Sequence, residues 1–292
     1  MLPRSQSVAE VKLPLVLLCL LAAASFGAPL AAAVLGVDAR SVDLLDRVAD
    51  PSLQHPLGTD ELGRDVLLRL LEGGRVSLAV GGAAALASAV LGTIIGLAAG
   101  YVGGWTDRVL MRLTDGVIAL PLLALLIVLA ALDLGKLGLP REFIQSEEVS
   151  VFRIIALATL VGWTTTARLV RGGTLIARSQ DYVRAAQSLG ASTVHVLRWH
   201  VLPNVVGPLL VATALSVGDI ILLESVLSFL GLGIQPPMAS WGNMLTNAQE
   251  LIESAPLLAI YPGVMIFVTV ICCNMFADAL HKRLDPRQAA GA

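Results

Sequence analysis

Two carboxylates stand where carboxylates are costly. Asp219 and Glu224 fall inside an otherwise apolar run near residues 205–227, and an ionisable group in such a run faces a cavity, a partner or a bonded neighbour. Their five-residue spacing is about 140° around a helix of 3.6 residues per turn, so they need not face one pathway together. Two roles stand open for them: a polar pathway or subunit interface, and a structural hydrogen bond to a neighbouring helix. His195 and His200 flank Arg198 and Trp199, but a five-residue spacing does not align two metal ligands on one helix face. His55 precedes Pro56 and lacks a second ligand at a usual spacing, so it reads as a turn residue. Gly135-Lys136 is followed by Leu137, so the chain lacks a G-x-x-x-x-G-K-[ST] phosphate loop. No His-Glu-x-x-His and no nucleophile constellation occurs. The chain is therefore expected not to be an enzyme and to hold neither metal nor cofactor.

The elements that position these residues are membrane helices. Of 292 residues, 56% are hydrophobic and 14% charged, with a mean hydropathy of +0.79; a soluble domain carries about 25% charge. The formal net charge of −2 and the absence of a basic tract give no reason to expect nucleic acid as a partner. Six apolar blocks run near 13–35, 76–100, 109–132, 151–169, 205–227 and 257–279. Each is close to the roughly 20 residues that carry a helix across about 30 Å of hydrocarbon. Backbone groups in lipid must bond within their own segment, so the fold class is all-α integral membrane. The first block exceeds the roughly 7–15 residues of a signal-peptide core and is expected to stay as a span. Cys19, Cys272 and Cys273 all lie in apolar blocks. Adjacent cysteines rarely bridge each other, so buried free thiols are expected.

With the N-terminus in the cytoplasm, the inner segments hold 12 of the 20 Lys and Arg residues: Arg4, Lys12, Arg108, Arg112, Arg168, Arg171, Arg178, Arg184, Arg198, Lys282, Arg283 and Arg287. The outer segments hold 8, at Arg40, Arg47, Arg64, Arg69, Arg75, Lys136, Arg141 and Arg153. This bias favours a multi-pass protein with both termini cytoplasmic. In the second span Gly92, Gly96 and Gly100 share a face and invite close approach of a neighbouring backbone. Pro121, Pro208 and Pro262 are candidate kinks. Between the first two spans a short amphipathic helix is expected over 61–72, with Asp65 and Arg69 as a helical pair.

The longest inner loop, 168–204, reads as helix, glycine elbow, helix. Ser179 is the expected cap of the first helix and Asp181 lies in its first turn, where the dipole favours an acid. Gly190 suits a left-handed stop, and Ser192 caps a second helix that is expected to end before Pro203. Small Ala185 and Ala186 leave room for another protein surface.

This loop resembles the signature of importer permeases: Glu-Ala-Ala, three residues, Gly, nine residues, apolar, any, Leu-Pro. The chain has Arg184-Ala185-Ala186, Gly190 and His200-Val201-Leu202-Pro203. Arg184 replaces the usual Glu, and His200 an apolar residue. Further stretches are similar to the C-type permease of dipeptide, oligopeptide and nickel importers. They are His55 to Asp65, Gly100-Tyr101-Val102-Gly103-Gly104-Trp105, Leu227 to Gly233, Ser240-Trp241-Gly242-Asn243-Met244 and Leu284-Asp285-Pro286-Arg287.

The resemblance implies a type I ABC importer permease in a bacterial-type inner membrane. Residues 1–75 would form an N-terminal helix with an outer segment, 76–283 the transmembrane domain and 284–292 a cytoplasmic tail. The elbow would be a coupling helix, with Asp181, Arg184, Ala185, Ala186, Gly190, His200, Leu202 and Pro203 as its contacts to an ATPase. A second permease, two ATPase domains or subunits and an external binding protein are the implied partners, with ATP and magnesium on the ATPases. Di- or oligopeptides are the implied cargo, and nickel, glutathione or another small solute is the alternative within the family. An ion-gradient transporter is disfavoured by the lack of an internal repeat, and a membrane-embedded enzyme by the lack of a catalytic constellation.

Overall fold

The computed structural model describes residues 4–132, 140, 146–246 and 252–284. Lys136, Arg141 and Arg287 lie outside the described residues, and so does the expected tail beyond Leu284. Among the described residues there are helices and no strand, with one antiparallel bridge between Thr59 and Asp65. The helices are α1 (Arg4–Phe26), α2 (Ala28–Leu35), α3 (Val66–Val102), α4 (Gly104–Ala119) and α5 (Leu122–Ala130). They continue with α6 (Glu147–Arg178), α7 (Asp181–Ser188), α8 (Thr193–Val196), α9 (Leu202–Phe229) and α10 (Leu257–Leu284).

Four helical runs are each long and apolar enough to cross a membrane: α3, α6, the run from Thr193 through α9, and α10. Two bent pairs, α1 with α2 at 52° and α4 with α5 at 86°, bring the number to six when each pair is counted as one broken span. The sharper bend sits at Pro121. Leu120 before it is extended (φ −76°, ψ 140°), as a residue preceding proline prefers. Pro208 and Pro262, by contrast, are carried inside α9 and α10, which continue through them.

The glycine face of α3 meets α6. A Cβ on Gly92 would stand 2.6 Å from the Trp163 carbonyl oxygen, and one on Gly96 2.6 Å from that of Ala167. At Gly100 it would be 2.7 Å from Thr174 Cβ. These are shorter than any contact side chains make, so the two backbones occupy space that larger residues would need. Gly96→Leu should force the helices apart and destabilise the protein by about 2 kcal/mol or more. Thermal unfolding in detergent checks this, with Gly82→Leu as the control, since nothing lies within 4 Å of that position. Helix α9 packs on α3, α6 and α10, and α1 covers α3 and α10.

The amphipathic helix expected over 61–72 does not form as a separate element. Asp60 Oδ1 accepts hydrogen bonds from the Leu62 and Arg64 amides at 2.9 and 3.0 Å, and Oδ2 accepts one from Arg64 Nε at 2.8 Å. These bonds fold 60–64 into a turn, with Gly63 at φ 72°. Asp65 then caps α3 by accepting from the Leu68 amide at 2.7 Å. Helix α3 starts at Val66 and crosses residue 75 without a break. Arg69 pairs with Asp60 (3.2 Å) rather than Asp65, whose second oxygen is taken by His55 Nδ1 at 2.9 Å. The three cysteines are free, and Cys272 and Cys273 are buried. Cys19 is exposed, contrary to expectation, because α1 stands at the edge of the bundle with Leu13 and Leu20 also uncovered.

Candidate functional site

Helix α7 stands at the end of the bundle where α3 and α6 finish. Its N-cap is Gln180 rather than Ser179, because Ser179 closes α6 by donating from Oγ to the Ile176 carbonyl at 2.8 Å. Asp181 lies in the first turn, fully exposed, with Arg184 Nη1 3.9 Å away, beyond hydrogen-bond reach. Gly190 turns the chain at φ 83° with open space around it. Ser192 Oγ then accepts from the His195 amide at 3.3 Å and caps α8.

The second helix does not stop before Pro203. It passes through a π turn, Leu197–Val201, directly into α9. In that turn the Leu202 amide reaches the Leu197 carbonyl, five residues back. Pro203 follows directly on that turn, at the start of α9. The same turn brings the His195 and His200 rings to 5.8 Å, which the spacing of a regular helix does not foresee. Among the described residues no group of three metal-ligating side chains forms.

Val183, Val196, Val201 and Val205 are buried with Val170 and Ala177, and this cluster roots the elbow. Polar bonds add to it. Gln187 Nε2 donates to Tyr101 Oη at 3.1 Å, and Arg178 Nη1 to the Tyr101 carbonyl at 2.9 Å. Asn204 Nδ2 donates to Tyr182 Oη at 3.0 Å, tying α7 to the start of α9. Arg184, Ala185, Pro203 and Leu189 face outward, and Leu189 is 89% exposed; Ala186, His200 and Leu202 are half-buried. The signature residues thus gather into one projection with a fixed base and an exposed face that sets Asp181 and Arg184 beside Ala185 and Leu189. Behind it, Arg171 clamps Asp107 of α4 with two bonds of 2.5 and 2.7 Å, and Arg168 reaches Asp115 at 2.6 Å.

The two mid-span carboxylates part company. Glu224 is fully buried. Ser77 Oγ donates to its Oε2 at 2.9 Å and Ser228 Oγ to its Oε1 at 2.6 Å. Both serines also hold the connection after α9: Ser77 Oγ accepts from the Trp241 amide at 3.2 Å, and Ser228 Oγ from the Ile234 amide at 3.0 Å. Trp241 is fully buried among Leu70, Ile221 and Ile266, and its Nε1 donates to the Leu70 carbonyl at 2.9 Å. Residues 230–246 therefore form a strap tucked between α3 and α9, with Glu224 at its base. Asp219 is exposed instead. It lines a cavity of about 710 Å³ between α4, α5, α6 and α9, whose walls are mostly apolar.

The sequence alone assigns no role to Tyr101, which falls in one of the family-like stretches, or to Tyr182, Gln187 and Asn204. They act through contacts 22 to 86 residues apart in the chain, which no local pattern reports. Trp241 had a signal, an aromatic side chain set among Ser240, Gly242 and Asn243 in a polar connection, but its burial had none.

Residues 92–290 match the family of binding-protein-dependent transport system inner membrane components. The chain is 39% identical over 251 residues to a glutathione transport system permease protein, GsiD, of Pectobacterium atrosepticum, covering 86% of this chain and 79% of that one. It is 37% identical over 250 residues to the oligopeptide transport system permease protein OppC of Bacillus subtilis, covering 86% and 77%. The crystal structure of an amino acid ABC transporter with histidines superposes with a TM-score of 0.50 at 16% identity, over 75% of this chain and 94% of that chain. The last comparison speaks to the fold alone.

Proposed function

This chain belongs to the family of binding-protein-dependent transport system inner membrane components, and from that premise we propose how it works in its assembly. It is a multi-pass membrane permease of an ATP-driven importer. Its cargo is a di- or oligopeptide delivered by an external binding protein. The names of its relatives, which include oligopeptide and glutathione permeases, support this. It pairs with a second, unlike permease. Two ATPase domains or subunits bind ATP and magnesium and do the hydrolysis. Both termini are cytoplasmic, and the elbow projects on the same side.

The observation that carries this reading is the elbow. A helix of eight residues, Asp181–Ser188, is braced at its base and bare at its surface. Asp181, Arg184, Ala185 and Ala186 enter a groove of the ATPase. Gly190 sets the angle, and His200, Leu202 and Pro203 join the elbow to α9. Closure of the ATPases on ATP then moves α9 and α6 as rigid elements, and the permease alternates between its two openings.

The test is co-purification from the native membrane in mild detergent with a tag on this chain. A second permease and ATPase subunits should accompany it. Solute transport by this chain alone, reconstituted without ATP, would overturn the reading in favour of a gradient-driven carrier.

A further inference from the structure

Asp219 stands exposed within a span. It lies about 25 Å along α9 from Leu202, well inside the span, at 1.5 Å per residue. Its side chain is exposed to the large cavity rather than packed away. Among the described residues that line the cavity there is no lysine, arginine or histidine. Two neighbouring hydroxyls are engaged elsewhere. Ser216 Oγ donates to the Ala212 carbonyl at 2.9 Å and Thr164 Oγ1 to that of Val161 at 2.8 Å, each within its own helix. A carboxylate inside a span is retained where a water-filled cavity, a counter-charge or a passing ligand meets it.

We propose that Asp219 receives the terminal ammonium group of the peptide as it crosses, so that the cavity is a subsite for a cationic amine. This deepens the importer reading and rests on it. The volume of about 710 Å³ is within the range of small-molecule sites. The apolar walls formed by Val117, Leu123, Val161 and Leu215 suit side chains of varied kinds, while one carboxylate fixes the end that all unmodified peptides share. An ammonium donates up to three hydrogen bonds and gains from a charged acceptor. A transition-metal cargo fits less well, because the described lining offers a single carboxylate and neither histidine nor cysteine.

The experiment uses the whole complex in proteoliposomes, with the binding protein saturated by trialanine or by N-acetyl-trialanine. The readout is peptide moved per ATP hydrolysed. In the wild type, acetylation should lower this yield about tenfold, the value of one lost charged contact. Asp219→Asn should lower the yield for trialanine by a similar factor and abolish the difference between the two peptides, and Asp219→Glu should restore most of it. An unchanged trialanine yield in Asp219→Asn would overturn the proposal. So would loss of the second permease from the purified Asp219→Asn complex, which would assign the carboxylate to a cation of that partner. If the wild-type complex moves neither peptide with ATP, the importer reading itself fails.

Discussion

Replacing Ala185 by tryptophan should strip the ATPase subunits from the purified complex and lower ATP-driven uptake by about a hundredfold, equivalent to about 2.8 kcal/mol of lost interface energy. Ala185 is exposed on α7, so the larger side chain points away from the described core of this chain. Helix α7 stays rooted through Val183, which is fully buried on the opposite side. The damage is therefore confined to whatever comes close to the methyl group, and the permease pair should remain intact. Co-purification with quantitative detection of each subunit reads the outcome. Arg184→Ala gives the complementary measurement. Among the described residues the Arg184 side chain has only a long contact to Asp181, so its removal should cost this chain less than about 1 kcal/mol of stability, as is usual for exposed pairs. If Ala185→Trp keeps its full complement of ATPases and its uptake, the elbow is not the docking element.

The second large effect concerns the strap. Glu224→Ala should destabilise the protein by about 3 kcal/mol or more, since it leaves buried hydroxyls without their acceptor and opens a hole at the base of the strap. The loss should be felt first in 230–246, because Ser77 and Ser228 grip that segment and Glu224 fixes both of them. Thermal unfolding in detergent and limited proteolysis of the strap report on it together. Glu224→Gln keeps the shape and one acceptor oxygen, so it should cost nearer 1 kcal/mol. Wild-type melting and an equally protected strap in Glu224→Ala would remove Glu224 from this role.

Much of the fold was legible because the membrane imposes so few solutions. An apolar block of the right length has to be a helix, and six blocks became four continuous runs and two bent pairs. The glycine ladder of α3 was legible for the same reason: a four-residue spacing has one geometric meaning on a helix. Local competition was not legible. Asp65 and Arg69 have the spacing of a helical pair, yet Asp65 went to the Leu68 amide and His55, while Arg69 went to Asp60. The sequence pattern offered two uses for each charge, and the turn at Gly63 decided between them. The π turn was hidden in the same way. Pro203 read as a stop, but one extra residue in the turn carried the helix past it. The division of labour between Asp219 and Glu224 was half visible, since their angular separation followed from spacing alone. Which of them met serines depended on a strap that enters from elsewhere in the chain.

Helix α3 has 37 residues and so a length of about 55 Å, nearly twice the hydrocarbon thickness of about 30 Å. Its first turns carry Leu70 and Ser77, which hold the strap, and its last turn carries Tyr101, which holds Gln187 of the elbow and Arg178 of α6. One unbroken shaft thus has a grip at each end. A tilt of about 5° about one end would sweep the other by about 5 Å, close to one helical turn. In mechanical terms α3 is a lever arm with no internal proline, and a proline placed at its centre would turn that arm into a joint.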